Sequence, residues 1–179
     1  MLNLDFADFP ILKTDRLILR NVLGKDFELL HKLHSDPVVN AFVGRKNTST
    51  LKKAQAYILR MDELVKKKEG LYWVITLRNS DDLIGAACCW NFDTENGIVE
   101  VGYELLPEYQ SRGIMTEALN SVIGFTFNEM KASLITAFPS SDNSSSVTLL
   151  KKLNFVFEDK PYNNKHQNIE NIVTYTLRP

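Results

Sequence analysis

The segment from 98 to 119 constrains this chain more than any other. Residues 98–106 form a β-type run, Pro107 ends it, and a short polar loop leads to Gly113, where a helical pattern begins. A strand that empties through a small loop into a helix leaves several backbone N–H groups without intrachain partners, all aimed at one point. Such a point receives phosphate. Arg112 adds positive charge beside it, and Gly113 lets the backbone approach closely. The residues exclude two common phosphate loops, since there is neither a Gly-Lys-Ser/Thr triplet nor a GxGxxG turn.

The flanking pattern reads as one domain, residues 1–179, of mixed α/β type. Residues 15–22 alternate as a first strand, and 26–34 carry Phe27, Leu30, Leu33 and His34 at helical spacing until Asp36-Pro37 stops them. Thr50 caps a second helix with an apolar stripe at Leu51, Ala54, Ile58, Met61, Leu64 and Val65, which Gly70 terminates. Runs 71–77 and 83–90 form a hairpin about Asn79-Ser-Asp-Asp82, and 91–97 is the next turn. After Gly113 come a helix to about 130, a strand at 133–138, a short helix at 143–153, and strands at 155–158 and 171–177. Hairpins first and helix–strand alternation afterwards argue for a mixed sheet flanked by helices.

Two motifs resemble a known family. Gln110-Ser-Arg-Gly113-Ile-Met115 is similar to the pyrophosphate loop of the GNAT superfamily of N-acetyltransferases, Gln/Arg-x-x-Gly-x-Gly/Ala. Met115 departs from the small residue expected there, which is tolerable if it lends its N–H and turns its side chain away. Asn143-Ser-Ser-Ser146-Val-Thr-Leu-Leu-Lys-Lys-Leu-Asn-Phe155 resembles a second family segment, with Asn154 in place of glycine. Asparagine is the next-best left-handed helix terminator, so that departure is conservative. Upstream, Thr14-Asp-Arg-Leu-Ile-Leu-Arg20 and Ser35-Asp-Pro-Val38 look like the opening of the RimJ/RimL-like branch, the ribosomal-protein N-acetyltransferases.

The resemblance implies a splayed GNAT sheet and acetyl-CoA as co-substrate. It implies cofactor contacts from Gln110, Ser111, Arg112, Gly113, Ile114, Met115 and Thr116, and from Asn143 and Ser146. In that family the strand before the loop parts from its neighbour, and pantetheine fills the gap as an added strand. Leu105 and Leu106 would supply the backbone groups there, with the N–H of one as oxyanion donor, and Pro107 cannot continue the ladder. Ser146, or a tyrosine near it, would protonate the departing thiolate. The competing reading of Asn143 and Ser146 is helix capping.

The amine that attacks the thioester must first lose a proton, so a base is needed. Glu100 and Glu104 lie on one face of the strand with Gly102 between them, opposite Val99, Val101, Tyr103 and Leu105. A carboxylate flanking an apolar cleft can serve as that base, directly or through water. Glu100 is the first choice and Glu104 the second, against the alternative of a solvated sheet face. His31 and His34 read as surface decoration of a helix. With His166 they show no metal-ligand spacing, and no metal is expected. Cys88 and Cys89 read as small core residues on opposite faces, a reactive thiol being the other reading. Trp73 and Trp90 read as core or cleft wall, and Tyr103 as core or site.

Net charge of −1 and no run of more than two basic residues beyond Lys66-Lys67-Lys68 argue against a nucleic-acid or membrane-surface partner. The expected setting is cytoplasmic, because the N-terminal residues lack the pattern of a signal peptide and no window approaches a membrane span. The expected reaction is acetyl transfer to a primary amine, foremost a protein N-terminal α-amino group. A small-molecule amine such as a polyamine or aminoglycoside is the alternative acceptor, and a non-catalytic acyl-CoA-binding module the alternative class. Oligomeric state stays open, a homodimer being one option.

Overall fold

The structure, a computed structural model, describes residues 1–44, 50–159, 162, 164–166 and 169–179. Its strands are β1 (Leu12–Lys13), β2 (Leu17–Asn21), β3 (Leu71–Leu77), β4 (Gly85–Asp93), β5 (Ile98–Leu105), β6 (Leu134–Ala137), β7 (Val156–Glu158) and β8 (Thr174–Leu177). Its α-helices are α1 (Phe27–Ser35), α2 (Pro37–Asn40), α3 (Leu51–Lys66), α4 (Ile114–Asn128) and α5 (Ser144–Lys152). All eight strands share one sheet in the order β1-β2-β3-β4-β5-β6-β8-β7. Neighbours run antiparallel except β5 and β6, which are parallel. A parallel pair needs a crossover between its strands, and α4 supplies it.

Both faces of this sheet are covered, so its central strands read as nearly continuous apolar runs. One core contains Leu19, Trp73, Ile75, Val99 and Val101, packed on Ala118, Leu119 and Val122 of α4. The other contains Tyr72, Val74, Ala86 and Cys88, packed on Leu30 and Leu33 of α1 and on Ile58 and Met61 of α3. Adjacent Cys88 and Cys89 therefore enter opposite cores, and burial pushes both thiols up, Cys89 to about 12. Neither is a reactive thiol in this setting. Trp73 is core as well, donating from its indole to the Pro10 carbonyl at 2.7 Å.

Local signals placed the elements with a few instructive differences. Thr50 caps α3 through the Lys53 N–H. The left-handed residue after that helix is Lys68 (φ 57), not Gly70. Gly70 is needed for space, since a Cβ there would stand 2.2 Å from Leu64 Cδ2 and 2.9 Å from the Cys89 carbonyl. Asp36-Pro37 ends α1 and also starts α2, because Asp36 accepts from the N–H groups of Val38 and Val39 while proline suits the first helical turn. Asn91, expected in a turn, lies inside β4 at a register shift with φ 46. That bulge turns its side chain toward β5.

Candidate active site

β5 is bonded unequally to its two neighbours. It pairs with β4 from Ile98 to Leu105, but with β6 only at Ile98, Val99 and Glu100. Beyond Glu100 a gap opens, and no described residue pairs with 101–105 on that side. The Leu106 N–H is already spent on the Ile84 carbonyl at 3.0 Å. Strand alternation then turns the backbone of Tyr103 and Leu105 into the gap. Of the two expected backbone donors, only Leu105 faces the opening; Leu106 is committed to β4. The Leu105 carbonyl in turn accepts from Gln110 Nε2 at 2.9 Å, tying the loop to the strand end.

Pro107–Tyr109 makes one 3-10 turn, and the loop then passes two left-handed residues, Ser111 (φ 58) and Gly113 (φ 72). That backbone is free for glycine but costs another residue on the order of 1–2 kcal/mol. Gly113 is the N-cap of α4 and offers no side-chain cap bond, so the first N–H groups, from Ile114, Met115 and Thr116, keep their donors for an outside acceptor. Met115 is buried in the core on α4, its side chain turned away as its departure from the small residue requires. Arg112 is exposed and lies over the Tyr109 ring at 5.9 Å. An uncapped helix start, a glycine approach and a strand gap together fit a ligand that ends in phosphate. An adjoining open cavity of about 580 Å³ is lined by Thr14, Asp15, Gly113, Thr116, Glu117, Asn120, Ser121 and Lys152.

On the α4 side of the gap, α5 contributes Ser146. Asn143 caps α5 by accepting from the Ser146 N–H at 3.0 Å, so the capping role belongs to Asn143. The Ser146 hydroxyl is free of it and pairs with the Tyr103 hydroxyl at 2.6 Å. Burial pushes Tyr103 up to about 12 against the opposing pull of that bond, so the phenol keeps its proton at neutral pH.

On the opposite face, neither glutamate is solvated. Glu100 is 3% exposed: one oxygen accepts from Trp90 Nε1 at 2.8 Å and meets His166 Nε2 at 2.6 Å, and the other accepts from Asn91 Nδ2 at 2.6 Å. Trp90 is therefore packed against the core with a polar task. Glu104 meets His34 Nε2 at 2.9 Å, and that ring stands edge-on to Tyr57. His34 is 2% exposed and no surface decoration. Its place in the apolar stripe with Leu30 and Leu33 was the available signal. His166, distant in sequence and in no regular element, carried none. Among the described residues no group of three or more His, Cys, Asp and Glu could hold a metal.

Residues 16–156 match the family model of the acetyltransferase (GNAT) domain. The chain is 33% identical over 147 residues to the uncharacterized N-acetyltransferase YoaA of Bacillus subtilis (strain 168), covering 82% of this chain and 83% of that one. Among solved structures, ribosomal-protein-S5-alanine acetyltransferase from Vibrio fischeri superposes with TM-score 0.79 at 22% identity, over 94% of this chain and 96% of that chain. The ribosomal L7/L12 alpha-N-protein acetyltransferase RimL, in complex with coenzyme A, superposes with TM-score 0.77 at 16% identity, over 94% and 98%. No helix among the described residues is long and apolar enough to cross a membrane.

Proposed function

Because the chain belongs to the GNAT acetyltransferase family and uses acetyl-CoA, we propose that it acetylates a protein N-terminal α-amino group with Glu100 as general base. The observation that carries this reading is the position of Glu100, the last β5 residue to pair with β6, where the gap begins. Two fold neighbours bear names of ribosomal-protein acetyltransferases, one of them alpha-N specific, which favours a protein acceptor over a small amine. An α-amino group titrates near ~7.7–8.0, so a carboxylate has modest work to do at neutral pH.

Acetyl-CoA brings an activated acyl group and a thiolate leaving group. Residues 110–116 hold its diphosphate end by backbone N–H groups, and the turned-in backbone of Leu105 holds its pantetheine arm. Glu100 takes the ammonium proton, and His166, its partner with 23% side-chain exposure, passes it to solvent. Leu105 stands five residues from Glu100, about 17 Å along a strand, too far to serve the same reacting carbon. Tyr103, at about 10 Å, comes within reach once the glutamate side chain and one water are counted. The Tyr103 N–H is thus the oxyanion donor. The Ser146 hydroxyl gives a proton to sulfur and regains one from the Tyr103 phenol, which takes its own back from water before the next turnover.

The test is free-thiol release from acetyl-CoA with a panel of N-terminal peptides set against spermidine and an aminoglycoside. Turnover on peptides bearing a free α-amine, and loss of it when that amine is blocked, is the expected result. Faster turnover of the small amines would overturn the acceptor assignment. Coenzyme A binding with no turnover of any amine would turn the reading into a binding module.

A further inference from the structure

The Thr14–Arg20 motif has its two ends in different places. Arg20 is buried, making a bidentate pair with Asp26 at 2.8 and 2.9 Å, and so belongs to the core. Thr14 and Arg16 instead leave the sheet and converge on Glu117, in the first turn of α4 and far away in sequence. One carboxylate oxygen of Glu117 accepts the Thr14 hydroxyl at 2.5 Å and the Arg16 N–H at 2.9 Å. Its other oxygen accepts Arg16 Nε at 2.6 Å. Burial would raise this carboxyl, but the Thr14 and Arg16 bonds outweigh it and hold it low. The same guanidinium then reaches the loop, donating from Nη1 to the Arg112 carbonyl at 3.1 Å.

That last bond falls on a telling peptide. Arg112 lies between left-handed Ser111 and Gly113, a backbone sequence the loop does not hold by helix or sheet bonds. Fixing the Arg112 carbonyl toward Arg16 turns the Gly113 N–H the opposite way, because the peptide unit is planar and trans. Arg16 Nη2 is the nearest atom to the position a Gly113 Cβ would take, at 3.5 Å, and makes no hydrogen bond to a described residue. We propose that Thr14, Arg16 and Glu117 form a clasp that presets the loop for the diphosphate of coenzyme A, with Arg16 as the positioning residue. This rests on the reading of residues 110–116 as the diphosphate site.

Calorimetric binding of coenzyme A to the full chain tests it, together with KM and kcat for acetyl-CoA. Arg16→Ala and Glu117→Ala should each weaken binding about 10- to 100-fold, the worth of one or two charged hydrogen bonds. KM should rise in step while kcat moves little. The double variant should be no worse than the weaker single one, because the two act through one bonded unit. Arg16→Lys, which cannot span Glu117 and the Arg112 carbonyl together, should fall between wild type and Arg16→Ala, and decides the matter if the alanine variant melts early. Additive losses, or unchanged affinity in a folded Arg16 variant, overturn the clasp. Gly113→Pro separates the two levels: if it binds normally the loop assignment itself fails, and if it alone loses binding only the clasp does.

Discussion

Glu100 and Glu104 stand four residues apart on the same face of β5, and each meets a histidine brought from elsewhere in the chain. Their settings then diverge. Glu104 pairs with His34 of α1, the two side chains being 3% and 8% exposed for histidine and glutamate, and the His34 ring stands edge-on to Tyr57. Glu100 lies where β6 leaves the strand, and its His166 partner is 23% exposed. A base that must turn over needs a route by which its proton leaves. Two carboxylates of equal chemistry are thus distinguished by what covers them: a helix over one, and over the other a partly exposed histidine at a sheet gap, the setting the proposed base requires.

The largest expected effect breaks this comparison if it is wrong. Glu100→Gln should lower turnover about 10²- to 10⁴-fold at neutral pH with coenzyme A affinity kept. The deficit should shrink as pH rises, because more of the amine is already deprotonated; a pH-independent deficit would argue for a binding role. If Glu104→Gln gives that profile in steady-state assays and Glu100→Gln does not, the two roles exchange.

Next in size is His166→Gln, which should cost roughly tenfold in turnover, less than removing the base itself, and be partly restored by added imidazole. Glu104→Gln should cost only a few-fold in turnover while removing about 1–3 kcal/mol of stability in urea melts, since a buried histidine loses a charged partner. A fully active and fully stable Glu104→Gln would leave no function for the second pair.

On the other face of β5 each expected effect is confined to turnover or to high pH. With Asn143 as the cap of α5, Ser146→Ala should melt close to wild type and lose turnover by about tenfold without change in coenzyme A binding. A thermal phenotype alone would return Ser146 to structure. Tyr103 predicts a tail at high pH. Its folded value near 12 lies above the ordinary 10, so the unfolded chain gives up this proton first. Its stabilisation is intact below about pH 10 and falls as pH rises toward 12, and Tyr103→Phe should flatten that decline in alkaline melting curves.

Much of the site was legible because it is local. Residues 98–115 encode strand, proline stop, polar turn and glycine in order, and each acts within a few residues of itself. Asn143 and Asn154 likewise declared a helix start and end, and Asn154 takes the left-handed backbone expected of it. The roles of Leu105 and Leu106 were half legible. Their place at the strand end was plain, but which N–H faces the gap depends on the register against β4, a property of the partner as much as of the strand.

The sequence by itself determined the mixed sheet, the strand–loop–helix turn at Gly113 and the candidate carboxylates, since periodicity and turn chemistry are short-range effects. Tertiary structure alone decided that His34 finds Glu104, that His166 reaches Glu100, and that Arg16 and Thr14 close on Glu117. Each of those contacts joins residues 66 or more positions apart. A side chain's partner at such separation is set by how the sheet brings its edges and crossovers together, and no local pattern records it.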